Sequence, residues 1–566
     1  MSQDSMRSVV AALLDNAAAD PDRIAAYLYL DAATHQLTRR GLLDLGLGWT
    51  AAYRRLGLEP GDIVIVMMGF GPAMLAAYLG AMLGGFVPSY MPYSAARQDR
   101  ELFMQSHRRL FERIGAKVVA TDSAWLAANA EIFEASGTQP VLAEDVAAAG
   151  AAVNEPPFEA KAEAIALLQH SSGTTALKKG VALSHRAVLN QARSYARAIS
   201  LGEPDLIASW LPLYHDMGLM ACFVIPLVMG VPVAQMDPFV WAREPWRLFD
   251  MIGERGATLV WLPNFAYHHL VRTVDPAGRY DLSSVRGFID CSEPCKPNTM
   301  RAFLEAFAGK GVQPQALQAC YAMAENGFAV AQTPLGQPPR YLVVDAEVMA
   351  AERRCRPASP GRPSLEFMSN GLVIEGVELK IVDDDRRELS EGAIGEIAIA
   401  GDCLFSGYFK LPEETAAVLH SGWCHTGDLG FLHDGHLYVT GRKKDLIIVR
   451  GRNFYAHDIE YVVSASEGVK PGRAVAFGLF REESGTEEAV VVAETSDPAR
   501  LDPREQLRRG VLIKQQVKDV LDLELHTVRL VPPGWLIKTT SGKISRAQNR
   551  EKYLDAESKR GLIGVA

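Results

Sequence analysis

The chain has 566 residues, of which 48% are hydrophobic and 22% charged, enough for about four units of ordinary domain size and too apolar for a disordered protein. Its 58 Lys and Arg against 67 Asp and Glu leave a net charge of -9, the wrong balance for a protein whose main task is gripping a nucleic-acid backbone. The seven cysteines are odd in number, scattered and without a CxxC pair, which excludes a disulfide scaffold or a zinc ribbon and points to a reducing compartment.

At the start, Asp4 precedes a short apolar run that Asp15 cuts off, so no export signal is expected and the protein is read as cytoplasmic. Ile63 to Ala96 carries no charge and is long enough on paper to span a bilayer. Its interior argues otherwise: IVIVMM is a β-branched run, GFGP breaks it, AMLAAYLGAML has helix-forming composition, and FVPSYMP is again extended. That order predicts a buried strand–helix–strand unit and no membrane span. Apolar runs then alternate with amphipathic stretches, AIALLQ (164–169) with RAVLNQARSYARAI (186–199), and WRLFDMIGER (246–255) with ATLVWL (257–262). The pattern predicts an α/β fold: a large N-terminal body of two α/β sheet subdomains with mostly parallel, buried strands. From about 370 to 440, LVIEGVELKIVD, GEIAIAG, LFSGYF and HLYVTG predict a β-rich subdomain. After the charged turn GRKKD (441–445), AVAFGLF, EAVVVAE and LRRGVLIKQQVKDVL predict a small α+β C-terminal domain. The expected domains are 1–441 and 442–566.

One segment stands out chemically. HSSGTTALKKGVALSH (170–185) is entered by a strand-like run and left by a strand and a helix. Between them Ser171, Ser172, Gly173, Thr174 and Thr175 precede Lys178, Lys179 and Gly180. Glycine admits close backbone approach, while amides, hydroxyls and ammonium groups satisfy a polyphosphate. The register is neither that of a Walker A loop nor GxGxxG, and taken alone the segment also reads as a hairpin with a solvated lysine pair.

The segment resembles the phosphate loop [ST]SG[ST]TGxPKG of the acyl-adenylating superfamily, with Ala176 and Lys178 as departures. Further motifs follow in that superfamily's order: CYAMAEN (320–326) is similar to YGxTE, HTGDLGFLHDGHLYVTGRKKD (425–445) to the TGD…GR block, and TTSGKISR (539–546) to the C-terminal lysine motif. Within it, WLPLYHDMGLM (210–220), LPNFAYHHL (262–270), CSEP (291–294) and VRGRNFYAHDIE (449–460) resemble elements of the fatty acyl-AMP ligases. Residues 340–371 fit the extra segment that branch carries. In YAMAEN, Ala322 stands for the usual glycine and Asn326 for alanine, and CSEPC replaces NGAEP, so the acid's head group is left open.

The resemblance implies an ATP-dependent, Mg2+-assisted ligase that joins a fatty or fatty-like acid to AMP and passes it to the phosphopantetheine thiol of an acyl carrier protein. An acyl-CoA synthetase and an inactive nucleotide- or acyl-binding module are the alternatives. It implies that Lys543 is catalytic, that Glu325 is catalytic and holds the metal, and that Ser171, Ser172, Gly173, Thr174, Thr175 and Lys179 receive the phosphates. Tyr321, Ala324, Ser292, Glu293 and Pro294 would hold adenine, Asp428 the ribose hydroxyls, and Arg442 the nucleotide. His215, Asp216, Met217, Gly218, Asn264 and Phe265 would line the acyl or acceptor channel, and Lys444 would be the hinge of a mobile C-terminal domain. No base is needed, because a free carboxylate is already ionised at neutral pH. His268 and His269, on successive helix positions, diverge too far to share a metal.

Overall fold

A computed structural model describes residues 7–31, 33–92, 100–150, 156–170, 179–481, 486–498, 502–539 and 543–559. Ser171, Ser172, Gly173, Thr174 and Thr175 lie outside the described residues. The chain forms two compact units, one of Met1–Pro339, Asn370–Glu378 and Ile399–Cys424, the other of Arg340–Ser369, Leu379–Ala398 and His425–Ala566.

The first unit is built on a nine-stranded sheet in the order Leu372–Val373, Ala329–Gln332, Leu317–Ala322, Gly287–Asp290, Leu259–Leu262, Ile207–Ser209, Val233–Met236, Ile24–Tyr29 and Thr34–Thr38. The six strands from Leu317–Ala322 to Ile24–Tyr29 run parallel, and the flanking pairs are antiparallel. Strands covered on both faces need no polar side, which is why LVWL (259–262) is fully buried. Phe249, Phe288, Phe303 and Phe307 interlock edge to face between this sheet and helices Arg247–Arg255 and Pro297–Phe307.

The charge-free stretch is the expected buried strand–helix–strand unit: Ile63–Val66, Pro72–Leu83 and Val87–Tyr90, the two strands pairing in parallel within a four-stranded sheet. Among the described residues no helix is long and apolar enough to cross a membrane. Helix Pro72–Leu83 crosses helix Arg39–Arg55 at Gly80, where a Cβ would come within 2.4 Å of the Gly46 carbonyl. Strands Ile165–His170 and Gly180–Ser184 form an antiparallel pair, followed by helix His185–Ala198.

His185 opens that helix inside the core, its Nδ1 accepting from the Val9 amide at 3.2 Å. Burial pushes its pKa down from 6.5 to about 4, and the positive end of the helix works in the same direction. The folded state therefore binds fewer protons than the unfolded one. Its contribution of about 3 kcal/mol is complete above the unfolded pKa and is lost as pH falls from about 6.5 to about 4. Following the first unit's unfolding across that window should show the loss, and His185→Gln, which keeps an acceptor, should flatten it.

Strands Val377–Val382, Gly395–Gly401 and Trp423–His433 lie side by side in one sheet, with His436–Arg442 hairpinned to the last. Segment 340–369 is ordered as strand Tyr341–Asp345, helix Ala346–Glu352 and antiparallel strand Ser364–Met368. Its Val344, Met349 and Phe367 share a core with Leu429, Phe431, Tyr438 and Tyr455. Beyond the charged turn, Val469–Arg481 pairs with Thr486–Thr495, which pairs in parallel with Thr527–Val531. Helices Ala456–Ser464 and Pro503–Leu521 seal this sheet through Ile459, Val463, Ile513, Val517 and Leu521.

Candidate active site

Four neighbouring parallel strands of the large sheet, Ile207–Ser209, Leu259–Leu262, Gly287–Asp290 and Leu317–Ala322, each run into a segment that the sequence marks. Trp210–Gly218 follows the first, Asn264 and Phe265 the second, Ser292–Pro294 the third, and Ala324 and Glu325 the fourth. Carboxyl ends of parallel strands in an open α/β sheet are where ligands bind, since the chain there leaves the sheet in loops free of ladder hydrogen bonds. Residues far apart in sequence thus share one sheet edge.

Those loops brace each other. The Glu293 carboxylate accepts from the Phe265 amide at 3.0 Å, and Asn264 Oδ1 accepts from the Lys296 amide at 3.3 Å. Ser292 sits in left-handed backbone at φ +71°, a conformation a serine adopts only when its surroundings impose it, and its Oγ lies 3.9 Å from the Met217 sulfur. Directly before this turn, Asp290 is fully buried with neither carboxyl oxygen hydrogen bonded. Burial, reinforced by the Glu293 charge, pushes its pKa well up. Phe265 is half exposed and packs edge-on against Trp241 and Trp210, which stack on each other at 3.6 Å.

His215 Nδ1 lies 2.9 Å from Asp216 Oδ1, and the same carboxylate oxygen accepts from the Met217 amide, capping a π-helical stretch over Met217–Val224. Wide helical turns of this kind are rare and concentrate at functional sites. Gly218 is required by packing: a Cβ there would sit 2.4 Å from the Pro212 carbonyl oxygen. Gly218→Ala should cost about 2–3 kcal/mol, read as a lowered thermal midpoint of the first unit.

Tyr321 and Ala324 are buried, Tyr321 in its strand and Ala324 in the one-turn 3-10 helix Ala324–Asn326. Glu325 is held at both ends: its carbonyl accepts from the Phe405 amide at 2.8 Å, and its Oε1 accepts from the Tyr408 hydroxyl at 2.7 Å. Burial and the Glu325 charge raise the Tyr408 pKa, so the phenol stays protonated and donates. On the ring of the same tyrosine lies the Lys179 ammonium, 4.6 Å from its centre. A lysine and a carboxylate from separate motifs therefore meet across one aromatic side chain. Gln169 ties strand Ile165–His170 to the turn after Glu325, donating to the Gly327 carbonyl at 3.0 Å.

The second unit gathers the remaining candidates in two places. Asp428 and Arg442 are register partners across a hairpin, with Arg442 Nε 3.4 Å from Asp428 Oδ1. Thr426 Oγ1 fixes the turn before them, donating to the Ile397 carbonyl and accepting from the Asp428 amide. Lys444 lies in the 3-10 turn Lys443–Asp445. The Lys543 carbonyl accepts from the Thr539 amide at 2.7 Å. Arg546, three residues on, contacts Asp445 at 2.5 Å and Glu460 at 2.7 Å and donates to the Ala476 carbonyl, so the lysine segment is clamped to the turn Lys443–Asp445.

Tyr408, Gln169 and Arg546 were not singled out by sequence reasoning. Tyr408 sits in LFSGYF, whose composition signals only a strand, and Arg546 sits inside a motif whose lysine draws the attention.

The chain is an α/β protein whose parallel sheet carries marked loops at its carboxyl edge, with a lysine and a carboxylate held against one tyrosine, a donor set suited to an anionic ligand. The AMP-binding enzyme family matches residues 13–409, and the chain belongs to it. It is 31% identical to the long-chain-fatty-acid–AMP ligase FadD26 of Mycobacterium tuberculosis, over 99% of each chain. It is 32% identical to the medium-chain-fatty-acid–[acyl-carrier-protein] ligase JamA of Moorena producens, over 69% of this chain and 68% of that one. Among solved structures, a chain from work on fatty acyl-adenylate ligases of E. coli and L. pneumophila superposes with a TM-score of 0.90 at 25% identity, covering 99% of this chain and 100% of that one.

Proposed function

We propose that the chain activates a fatty acid with ATP and passes the acyl group to the phosphopantetheine thiol of a carrier protein. In the first step a carboxylate oxygen attacks the α-phosphorus, the bond to the leaving oxygen breaks, and pyrophosphate departs. In the second a thiolate attacks the acyl carbonyl and AMP leaves. The observation that carries the reading is the run of four adjacent strands whose carboxyl ends present His215–Gly218, Asn264–Phe265, Ser292–Pro294 and Ala324–Glu325 side by side. The names of the similar ligases support the fatty acid and the carrier protein as substrates.

Two anions must meet at phosphorus, so catalysis here is charge neutralisation and alignment. Lys179 and the loop Ser171, Ser172, Gly173, Thr174 and Thr175 take the phosphates. Tyr321, Ala324, Ser292, Glu293 and Pro294 enclose adenine. Asp428 accepts from the ribose hydroxyls, with Arg442 beside it. His215, Asp216, Met217, Gly218, Asn264 and Phe265 shape the acyl and acceptor channel.

A Mg2+ ion, a hard cation that takes few protein carboxylates and keeps phosphate and water oxygens, fits the donor set: Glu325 offers a carboxylate whose orientation Tyr408 fixes. When bound it would supply charge compensation for the phosphates. Residues 442–566 act as a mobile domain turning at Lys444, and one orientation delivers Lys543 to the α-phosphate.

A pyrophosphate-release screen over acids of different length and head group, followed by addition of either coenzyme A or a holo carrier protein, tests the reading. Carrier acylation with little acyl-CoA is expected. Rapid acyl-CoA formation would refute the carrier as acceptor, and no pyrophosphate release with any acid would refute the activation step.

A further inference from the structure

Helix Pro503–Leu521 has two apolar faces, and its fold uses only one. Ile513, Val517 and Leu521 point into the core of the second unit, and Arg509 is buried beside them, 2.6 Å from Glu505. On another side Leu507 is 72% exposed, Val511 58% and Leu512 46%. With Arg504 and Arg508 they fall at spacings of three and four, one continuous stripe over two turns, and line a shallow open depression of about 420 Å3. Large apolar side chains this exposed are ordinary when scattered; contiguous and rimmed by charge, they mark an interaction surface.

The charge of the helix says what kind. In a chain of net charge -9, the segment PREQLRRGVLIKQQVKDVL holds five basic residues against two acidic ones. Glu505 is shared between Arg508 and Arg509, so it neutralises neither fully. A complementary partner offers an apolar ridge flanked by carboxylates. Nucleic acid would set phosphates against Leu507 and Val511. A lipid surface calls for a longer apolar face than two turns, and here Glu505, Gln515 and Asp519 interrupt it.

We propose that this stripe is the docking surface for the carrier protein, through a helix bearing acidic and apolar side chains. The inference rests on the carrier-transfer reading given above, because that reaction requires a macromolecular acceptor to come to the chain repeatedly and leave. A small apolar centre with a basic rim suits such a transient encounter: charge governs the approach, and the apolar contact sets the residence time.

The test uses the full-length enzyme and, as acceptor, the holo carrier protein acylated fastest in a panel, with free pantetheine as an acceptor that has no protein to dock. Two double variants, Leu507→Asp with Val511→Asp and Arg504→Glu with Arg508→Glu, should each raise the KM for the carrier at least about 10-fold. ATP–pyrophosphate exchange and transfer to pantetheine should stay unchanged, which separates docking from misfolding. The carrier KM of the parent should rise with salt, and the arginine variant should flatten that dependence. An unchanged carrier KM in both variants overturns the proposal. So does a dimer of the parent, or its binding to phosphatidylglycerol vesicles, that is lost in the Leu507 and Val511 variant without a change in carrier KM. Adenylate formation with no carrier acylated overturns the acceptor reading and this surface with it, whereas absence of adenylate formation overturns the activation reading itself.

Discussion

Lys543→Ala is expected to lower ATP–pyrophosphate exchange by a factor of roughly 10^2–10^3 while ATP still binds, the magnitude seen when one preorganised charge is taken from a developing oxyanion. Negative charge gathers around the α-phosphorus as carboxylate and phosphate approach, and a compact ammonium is the group that compensates it without geometric demands of its own. The nucleotide's other contacts lie elsewhere under the proposed roles, so affinity for ATP should change little. A second measurement separates a catalytic lysine from a structural one: a pre-formed acyl adenylate, supplied directly, should still be transferred to a thiol by the variant. If exchange stays within a few-fold of the parent, Lys543 has been assigned the wrong role. Arg546 sharpens the comparison. It holds the Lys543 segment to Asp445 in the turn Lys443–Asp445, so under the proposed hinge at Lys444 its loss should affect both half-reactions, whereas loss of Lys543 should affect only the first.

What the sequence disclosed and what it withheld follow from the range of the interactions. The strand–helix–strand unit at Ile63–Tyr90 was legible because glycine and proline punctuate it and each element's apolar run is local. The four marked loops were legible as motifs, but their adjacency is a property of strand order, and the neighbours Leu259–Leu262 and Ile207–Ser209 belong to widely separated parts of the chain. The π-helical turn at Met217–Val224 leaves no periodic trace, because it is apolar on every side. Composition changes at the charged turn 441–445, and that locates where a chain can bend. The grouping of buried contacts instead gathers 340–369, 379–398 and everything from His425 into one compact unit, since packing follows sheet pairing and not chain texture. Tyr408 was invisible for the same reason: the carboxylate that gives it meaning is 83 residues away.

That tyrosine gives the last expectation its discriminating power. Glu325→Gln keeps the side chain's size and its hydrogen bond from Tyr408 but removes the negative charge, and should lower the adenylation rate about 10^2-fold or more if the carboxylate serves Mg2+. Tyr408→Phe leaves the charge and removes only the 2.7 Å hydrogen bond that orients it. Partners that orient a metal ligand typically contribute 10- to 100-fold, so its loss should be smaller. The two variants should also differ in kind. In a Mg2+ titration at fixed ATP, Tyr408→Phe should shift the midpoint upward and recover much of the rate at high Mg2+, since the ligand is still present and only less well aimed. Glu325→Gln should not recover, because a neutral amide replaces an anion. The lysine over the ring adds a third measurement: without the hydroxyl, the Lys179 ammonium keeps the aromatic face it rests on, so affinity for ATP in the absence of Mg2+ should be unchanged in Tyr408→Phe. Identical Mg2+ dependence in the parent and in both variants would mean that Glu325 is a structural anchor for the Phe405–Tyr408 turn, and that the metal is held elsewhere.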